Sequence, residues 1–206
     1  MTIVYLMRHS EPFKQHKGIV ISSNNLLEDN KITPLSINGE ILANTISKKE
    51  EYQNLDSIWS SDYARAMSTA KYFAENNNLK VNISSSLGER IHGINSWEDL
   101  PQDFEQKQME DEDYKLDKGE SAKQVRTRMY NELIRIINDN KNKRILIVGH
   151  STSIVFLLKT WCNINYNSDY LFNGNSFFNG VWNYCTTFKL EFNDNNELIS
   201  IKTINN

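Results

Sequence analysis

The chain has 206 residues and a mass of 24.0 kDa, which fits a single globular domain. Hydrophobic residues make up 39% of it and aromatic residues 11%, a composition that excludes general disorder. With 23 basic against 26 acidic residues the net charge is −3, so the chain lacks the basic excess typical of nucleic-acid-binding proteins.

Membrane, secretory and metal-binding classes are not indicated either. The longest apolar runs, at 145–149 and 154–158, are far shorter than the roughly 18 residues that a membrane span needs. The N-terminal MTIVYLMRH has no basic region before its short apolar run, which argues against a secretory signal and predicts a cytoplasmic protein. Cys162 and Cys185 show neither CxxC nor Cys/His spacing, so no zinc site, disulfide or cofactor is predicted and both are expected to be buried thiols.

The N-terminal quarter predicts a strand, a loop and a helix. Residues 2–7 (TIVYLM) are typical of a buried strand, which ends at Arg8 and His9. Residues 10–32 have no sustained period and predict a loop. Ser36 is the predicted N-cap of a helix that runs to about residue 52. The apolar face of this helix is expected to comprise Ile37, Ile41, Leu42 and Ile46.

The middle of the chain predicts two further strands and a helix. Residues 55–60 predict a strand that leads into a helix over 61–76. The apolar face of that helix is expected to comprise Ala64, Met67, Ala70 and Phe73. Residues 79–83 predict a short third strand, and the acidic segment 96–118 is expected to hold short surface helices.

The C-terminal half begins with a strong helix signal. Ser121 and Gln124 form a capping-box pattern before a helix to about residue 140. Residues 143–150 (KRILIVGH) are the clearest buried strand in the chain, and a largely buried helix is predicted after it. Residues 181–192 and 197–204 predict two strands joined by a turn.

Alternation of strands and helices predicts an α/β fold over residues 1–206 as one domain. The sheet should be mostly parallel and flanked by helices, because helices connect its first strands. The C-terminal β strands are expected at its edge.

Five chemically capable residues follow the ends of the predicted strands: Arg8, His9, Arg65, Glu89 and His150. Because the carboxyl ends of parallel strands meet at one edge of a sheet, we expect these side chains to share one site. Two arginines and two histidines beside a carboxylate supply an anion pocket, a nucleophile and a proton donor, as phosphoryl transfer through nitrogen requires. Singly, each residue is as consistent with surface charge or a structural histidine, and only their shared placement favours a site.

The motifs at these positions resemble those of the histidine phosphatase superfamily, which has the phosphoglycerate mutase-like fold. LMRHSEP is similar to the RHG signature, TPLSINGEILA to the L(T/S)xxGxxQA helix, and SSDYARAMSTA to SSxxxRAxQTA. LGER with INSWED resembles the LxE and GxWEG stretch, GESAKQVRTRM the GES helix, and ILIVGHSTSI the VxHGxxI strand and turn. The six matches follow the family's order up to about residue 160.

The resemblance implies a metal-independent, acid phosphatase-type phosphomonoesterase that acts on a small phosphorylated metabolite through a phosphohistidine. It makes His9 the nucleophile and Glu89 the proton donor. The phosphate contacts it implies are Arg8, Arg65, His150 and Ser10. No metal or cofactor is implied, and the expected partner is the small phosphorylated substrate, with a monomer or a homodimer as the assembly.

Three residues depart from the family pattern. Ser10 and Ser151 stand where the family has glycine, and Pro12 replaces a residue that can hydrogen-bond the phosphate. Because of the two serines, one alternative is a catalytically weak domain that binds a phosphorylated ligand or acts as a scaffold. A phosphoglycerate mutase is the other alternative, and it is disfavoured because SEPFKQHKGIVISSNN lacks the tryptophans that mutases have after the nucleophile.

Residues 91–118 carry nine acidic and three basic residues. In the resembled family an insertion after the proton donor helps to wall the site. This segment is therefore either a negatively charged wall of the site or a solvated acidic surface.

Overall fold

Residues 1–14 and 26–204, which a computed structural model describes, form a six-stranded sheet and a separate three-stranded sheet. The strands of the larger sheet are β1 (Thr2–Arg8), β2 (Ser57–Ser60), β3 (Val81–Ile83), β4 (Arg144–Gly149), β8 (Thr187–Phe192) and β9 (Leu198–Ile204). Their order is β3-β2-β4-β1-β8-β9, in which β3, β2, β4 and β1 run parallel. The antiparallel β8 and β9 complete the edge. The predicted α/β sheet with C-terminal strands at its edge is confirmed.

Helices cover both faces of this sheet. They are α1 (Leu26–Ile32), α2 (Ile37–Ser47), α3 (Ala64–Asn77), α4 (Phe104–Glu110), α5 (Ala122–Asp139) and α6 (Ser151–Leu158). Successive residues of β1 point to opposite faces, so Val4 packs in a core with α5 and α6, whereas Tyr5 packs in a second core with α3. Strands β1 and β4 are covered on both faces, which explains why their sequences are almost continuously apolar.

Both predicted N-caps are present. The Ser36 hydroxyl accepts from the backbone N–H of Gly39 at 2.9 Å and begins α2. Ser121 and Gln124 form the reciprocal capping box at the start of α5. The apolar stripe of α5 is fully buried, which confirms both the predicted helix and its predicted apolar face.

The helix after Ser36 differs from its prediction in length and in orientation. It ends at Ser47 rather than near residue 52, and a short 3-10 turn follows at Glu50–Tyr52. This turn directs the Tyr52 ring into the core against Tyr5. Ile37 and Ile41, expected on the apolar face, are 81% and 59% exposed. Ile46 is buried as predicted and Leu42 packs against the same core, and the rest of the buried face consists of the smaller residues Gly39, Ala43 and Ser47.

The predicted loop over residues 10–32 contains a helix where it is described. Residues 26–32 form α1, although no residue of this helix is fully buried. Residues 15–25 of that prediction lie outside the described part of the chain.

The C-terminal prediction is correct for the two edge strands and wrong for residues 181–186. Gly180 and Cys185 have φ of +79° and +59°, which interrupts an extended strand. Strand β8 therefore begins only at Thr187. A small antiparallel sheet that was not predicted precedes this segment and comprises β5 (Asn163–Ile164), β6 (Tyr170–Phe172) and β7 (Asn175–Phe178).

Gly39 allows the first turn of α2 to pack directly on the chain that follows β1. A Cβ placed on Gly39 would lie 2.1 Å from the carbonyl oxygen of Glu11. The Ser10 hydroxyl donates to the Gly39 carbonyl at 2.7 Å, and the Ser36 N–H donates to Glu11 O at 3.0 Å. This close approach fixes the residues directly after His9.

We expect Gly39→Ala to destabilise the protein by about 1–3 kcal/mol, because the methyl group forces the two backbones apart. In an unconstrained helix the same change would stabilise by up to about 1 kcal/mol. Urea denaturation measures the free energy of unfolding. Asn38→Ala, at the exposed neighbouring position, is the control and should change stability by less than about 0.5 kcal/mol. A Gly39→Ala protein as stable as the wild type would contradict this packing.

Candidate active site

The ends of the parallel strands bring His9, Arg65 and His150 into direct contact. Arg65 Nε donates to His9 Nε2 at 3.0 Å, and Arg65 Nη2 lies 3.3 Å from His150 Nδ1. The two imidazole rings are 5.2 Å apart between centroids. All three side chains are buried. The sequence predicted that these residues share one edge of the sheet, and the structure places them there.

The hydrogen bonds of His9 define its tautomer. Its Nδ1 lies 2.6 Å from the carbonyl oxygen of Ser10, which can only accept, so Nδ1 carries the proton. Nε2 therefore holds the lone pair, and the Arg65 N–H points at it. A neutral imidazole whose Nε2 carries the lone pair is the form that can attack an electrophile once the bond from Arg65 is exchanged.

His150 has the opposite arrangement, and Ser61 is part of it. Because Arg65 donates to Nδ1 of His150, the proton lies on Nε2 and is donated to the Ser61 hydroxyl at 2.8 Å. Ser61 is fully buried at the end of β2. The sequence analysis did not single out Ser61. The serine pair of SSDYARA, between β2 and α3, is the only signal that could have suggested it.

Burial and positive charge keep both imidazoles neutral. Burial, followed by the charge of Arg65, lowers the pKa of His9 to about 3. Burial also lowers the pKa of His150 well below its ordinary value, and neighbouring His9 and Arg65 add to the effect. Both rings thus remain unprotonated at neutral pH.

Arg65 is a buried cation that forms no ion pair with a carboxylate in the part of the chain that the structure describes. It lies in the first turn of α3, where the helix dipole is unfavourable for a positive charge. Its Nη1 donates to the carbonyl oxygen of Asn30 in α1 at 2.5 Å, and its guanidinium lies 4.8 Å from the centre of the Tyr63 ring. Each of these contacts is to a neutral group, so none of them balances the charge of Arg65 directly.

Arg8 is the second cation of the site. Its Nη1 donates to the Trp182 carbonyl at 3.0 Å, and its guanidinium lies over the Tyr184 ring at 4.7 Å. Its Nε is buried without a hydrogen-bond partner. In the described ranges 1–14 and 26–204, no ion pair includes Arg8 or Arg65. The non-strand segment at 181–186 therefore covers Arg8, a contact that the sequence did not indicate.

Glu89 lies in irregular chain after β3 and reaches the start of α6. Its Oε1 accepts from the backbone N–H groups of Ser153 and Arg90, both at 3.0 Å. The helix dipole of α6 favours a carboxylate at this place. The carboxylate also interacts electrostatically with Arg8 and Arg65, which places it close to the cationic pair.

Ser10 accommodates its side chain away from the arginines. Its hydroxyl donates to Gly39 O at 2.7 Å and its backbone N–H donates to Thr69 Oγ1 at 2.9 Å. Both donors are thus bonded to protein groups in this structure, and the expected contact between Ser10 and a phosphate stays a prediction. Ser151, the other serine in place of glycine, begins α6 and lines a cavity beside Arg8.

That cavity has a volume of about 380 Å³ and contains polar and aromatic side chains. Besides Arg8 and Ser151, its lining includes Glu105, Asn165, Tyr166 and Trp182. Glu105 and Met109 of the acidic segment thus reach this cavity. Four acidic residues of the segment are also engaged in ion pairs: Asp103, Glu105, Glu112 and Asp113.

His92, three residues beyond Glu89, belongs to the acidic segment's own packing. Its Nε2 accepts from Arg90 Nε at 3.2 Å, and its ring packs against Trp97. Among the described residues no group of three or more His, Cys, Asp or Glu side chains could hold a metal ion, and no helix could cross a membrane. Both cysteines are buried, and neither forms a disulfide within the described part of the chain.

Comparison with known families gives a match over residues 4–195 to the model of the histidine phosphatase superfamily, branch 1. The chain belongs to this superfamily. The resemblance based on six short motifs is thereby confirmed. No protein with a curated description matches the sequence with significance.

Solved structures with the histidine phosphatase fold align along nearly the whole chain. A mycobacterial glucosyl-3-phosphoglycerate phosphatase with inorganic phosphate is 16% identical with a TM-score of 0.67, covering 98% of this chain and 95% of its own. A phosphoserine phosphatase mutant from Entamoeba histolytica with phosphoserine is 22% identical with a TM-score of 0.64, covering 98% and 97%. A candidate alpha-ribazole-5'-P phosphatase from Escherichia coli is 18% identical with a TM-score of 0.68, covering 100% and 96%. The likeness establishes the fold.

The depressed pKa of His9 predicts a loss of stability in acid. The unfolded chain takes up a proton at His9 near pH 6.5, whereas the folded protein does so only near pH 3. The free energy of unfolding should therefore fall as the pH drops through this window. His9→Gln should reduce that slope by up to about 1.4 kcal/mol per pH unit. Urea denaturation in phosphate-free buffers between these limits measures it, and equal slopes for both proteins would contradict a neutral, buried His9.

Proposed function

We propose that the protein is a phosphomonoesterase that transfers the phosphoryl group of a small phosphorylated metabolite to His9 and then to water. The observation that carries this proposal is a pair of guanidinium groups beside a neutral imidazole: Arg65 is buried, Arg8 is half-buried, and neither forms an ion pair with another described residue. A phosphate dianion supplies the missing negative charge. Membership of the histidine phosphatase superfamily and the phosphatases among the solved structures support the same reaction.

In the first step His9 Nε2 attacks phosphorus in line with the leaving oxygen. The N–P bond forms as the P–O bond to the leaving group breaks, and Glu89 gives its proton to the departing alkoxide. Arg8 and Arg65 hold the phosphoryl oxygens, and His150, whose Nε2–H is donated to Ser61 and whose Nδ1 accepts from Arg65, orients the Arg65 guanidinium. Arg65 exchanges its bond to His9 Nε2 for one to the substrate, which frees the lone pair.

In the second step Glu89, now a carboxylate, takes a proton from water as the water attacks the phosphohistidine. The N–P bond breaks, inorganic phosphate leaves, and the neutral imidazole is restored. The positive charge that stabilises the transferring group comes from two arginines, so we propose a metal-independent, acid phosphatase-type reaction. We propose that the organic part of the substrate extends into the cavity that Arg8 lines, whose volume of about 380 Å³ suits a small metabolite. The cytoplasmic location expected from the sequence stays a prediction.

We expect His9→Ala to abolish hydrolysis of a chromogenic aryl phosphate while the circular dichroism spectrum is retained. The wild type should form a phosphoenzyme that survives alkali and decays in acid, because a phosphoramidate is acid-labile. Its activity should be unchanged by EDTA. Retained activity in His9→Ala, or an acid-stable adduct, would remove His9 from the nucleophile role. A wild type that binds phosphate without turnover would indicate a binding or scaffold domain.

We expect Glu89→Gln to lower kcat/KM for alkyl phosphates by ~10²–10⁴, the loss typical of removed general acid catalysis. For aryl phosphates the loss should be much smaller, since their leaving groups need little protonation. The comparison of kcat/KM for a matched alkyl and aryl pair measures this difference. Equal losses on both substrates would count against Glu89 as proton donor.

A further inference from the structure

The backbone around Glu89 has no regular secondary structure that could hold the carboxylate in place. After the 3-10 turn at Ser85–Leu87 the chain runs irregularly through residues 88–94. The polar groups of such a segment need tertiary partners. A salt bridge between Glu120, which precedes α5, and Arg128, within α5, supplies them.

The Arg128 guanidinium uses all five of its N–H donors. Nε and Nη2 donate to the two carboxylate oxygens of Glu120 at 2.7 and 2.9 Å, which is the bidentate geometry of a strong pair. The other three donors bind backbone carbonyl oxygens around the proton donor. These are Ser86 O at 2.9 Å, Gly88 O at 3.0 Å and Glu89 O at 3.1 Å.

Glu120 binds the other side of the same segment. Its Oε2 accepts from the Ile91 N–H at 3.0 Å, and its backbone N–H donates to Ile91 O at 2.8 Å. The pair therefore holds the chain directly before, at and after Glu89. Both side chains are mostly shielded from solvent, with 22% and 19% exposure for Arg128 and Glu120.

We propose that Arg128 and Glu120 are positioning residues for the proton donor, an inference that rests on the proposed role of Glu89. They act through the backbone at 86–91, which sets where the Glu89 carboxylate meets the leaving oxygen. Neither is assigned a contact with substrate. The structure also explains why a lysine cannot replace Arg128: its three donors on one nitrogen cannot reach a bidentate carboxylate and three carbonyl oxygens together.

The test compares Arg128→Lys and Glu120→Gln with the wild type on a matched alkyl and aryl phosphate. We expect kcat/KM for the alkyl phosphate to fall by about 10–100-fold, the loss that a misplacement near 1 Å produces, and the aryl value to change much less. In a Glu89→Gln background Arg128→Lys should cause no further loss on the alkyl substrate, because no proton donor remains to be positioned.

Arg126→Lys is the matched control. Arg126 lies on the same helix, is 23% exposed, and forms a bidentate pair with Glu112 at 2.5 and 2.6 Å. None of its bonds reaches the backbone at 86–91, so its kcat/KM on both substrates should stay at the wild-type value. Melting temperatures of all variants show whether the altered proteins are folded.

Several outcomes overturn the proposal. Equal losses of Arg128→Lys on the alkyl and aryl substrates, or a further loss in the Glu89→Gln background, would show a general structural role. If Arg128→Lys does not fold, Glu120→Gln decides by the same comparison. If Glu89→Gln itself fails to distinguish the substrates, the proposed donor fails and the positioning role falls with it. If Glu89→Gln distinguishes them and Arg128→Lys does not, only the positioning role is overturned.

Discussion

The parallel pairing of β1 with β4 determines where the two histidines lie. Arg8 is opposite Gly149 in this ladder, and the His9 N–H donates to Gly149 O at 2.9 Å. His9 and His150, which follow these paired residues, therefore lie side by side at the ends of the two strands. Both faces of the strands are buried, and a slip of one residue would exchange the side chains between the two cores. The apolar packing that fixes the register therefore also fixes the 5.2 Å separation of the imidazole rings.

The same cations govern the substrate and the nucleophile. The buried Arg65 and the half-buried Arg8, which form no ion pairs among the described residues, are costly in the folded protein, and an anionic ligand relieves that cost. Their charge also opposes protonation of His9, which is already disfavoured by burial. A site that attracts a phosphate thus keeps the attacking nitrogen unprotonated at the same time. Binding and reactivity arise from one electrostatic arrangement.

The acidic segment is anchored beside this site by one buried residue. The Arg90 guanidinium donates to Gln108 Oε1 at 2.8 Å, forms an ion pair with Glu105 and lies 5.1 Å from the centre of the Phe104 ring. Several acidic groups of the segment form ion pairs with bases elsewhere in the chain, such as Lys123 and Arg126. The segment contributes a wall to the cavity beside Arg8, with a weaker negative field than its composition alone implies.

Local sequence patterns predicted the strand and helix pairs, the N-caps at Ser36 and Ser121, and the five chemically capable residues that follow the strands. These features are encoded locally, by apolar runs, by periodicity and by residues at the ends of elements. The conformations of residues 181–186 and of α1 were not predicted, because they depend on contacts with Arg8 and Arg65, which are far away in sequence. The orientation of Ser10, the Ser61 bond to His150 and the five bonds of Arg128 are likewise pairings across the chain. Only tertiary structure decides them, because a hydrogen bond depends on where two groups meet in space rather than on the spacing between them in the sequence.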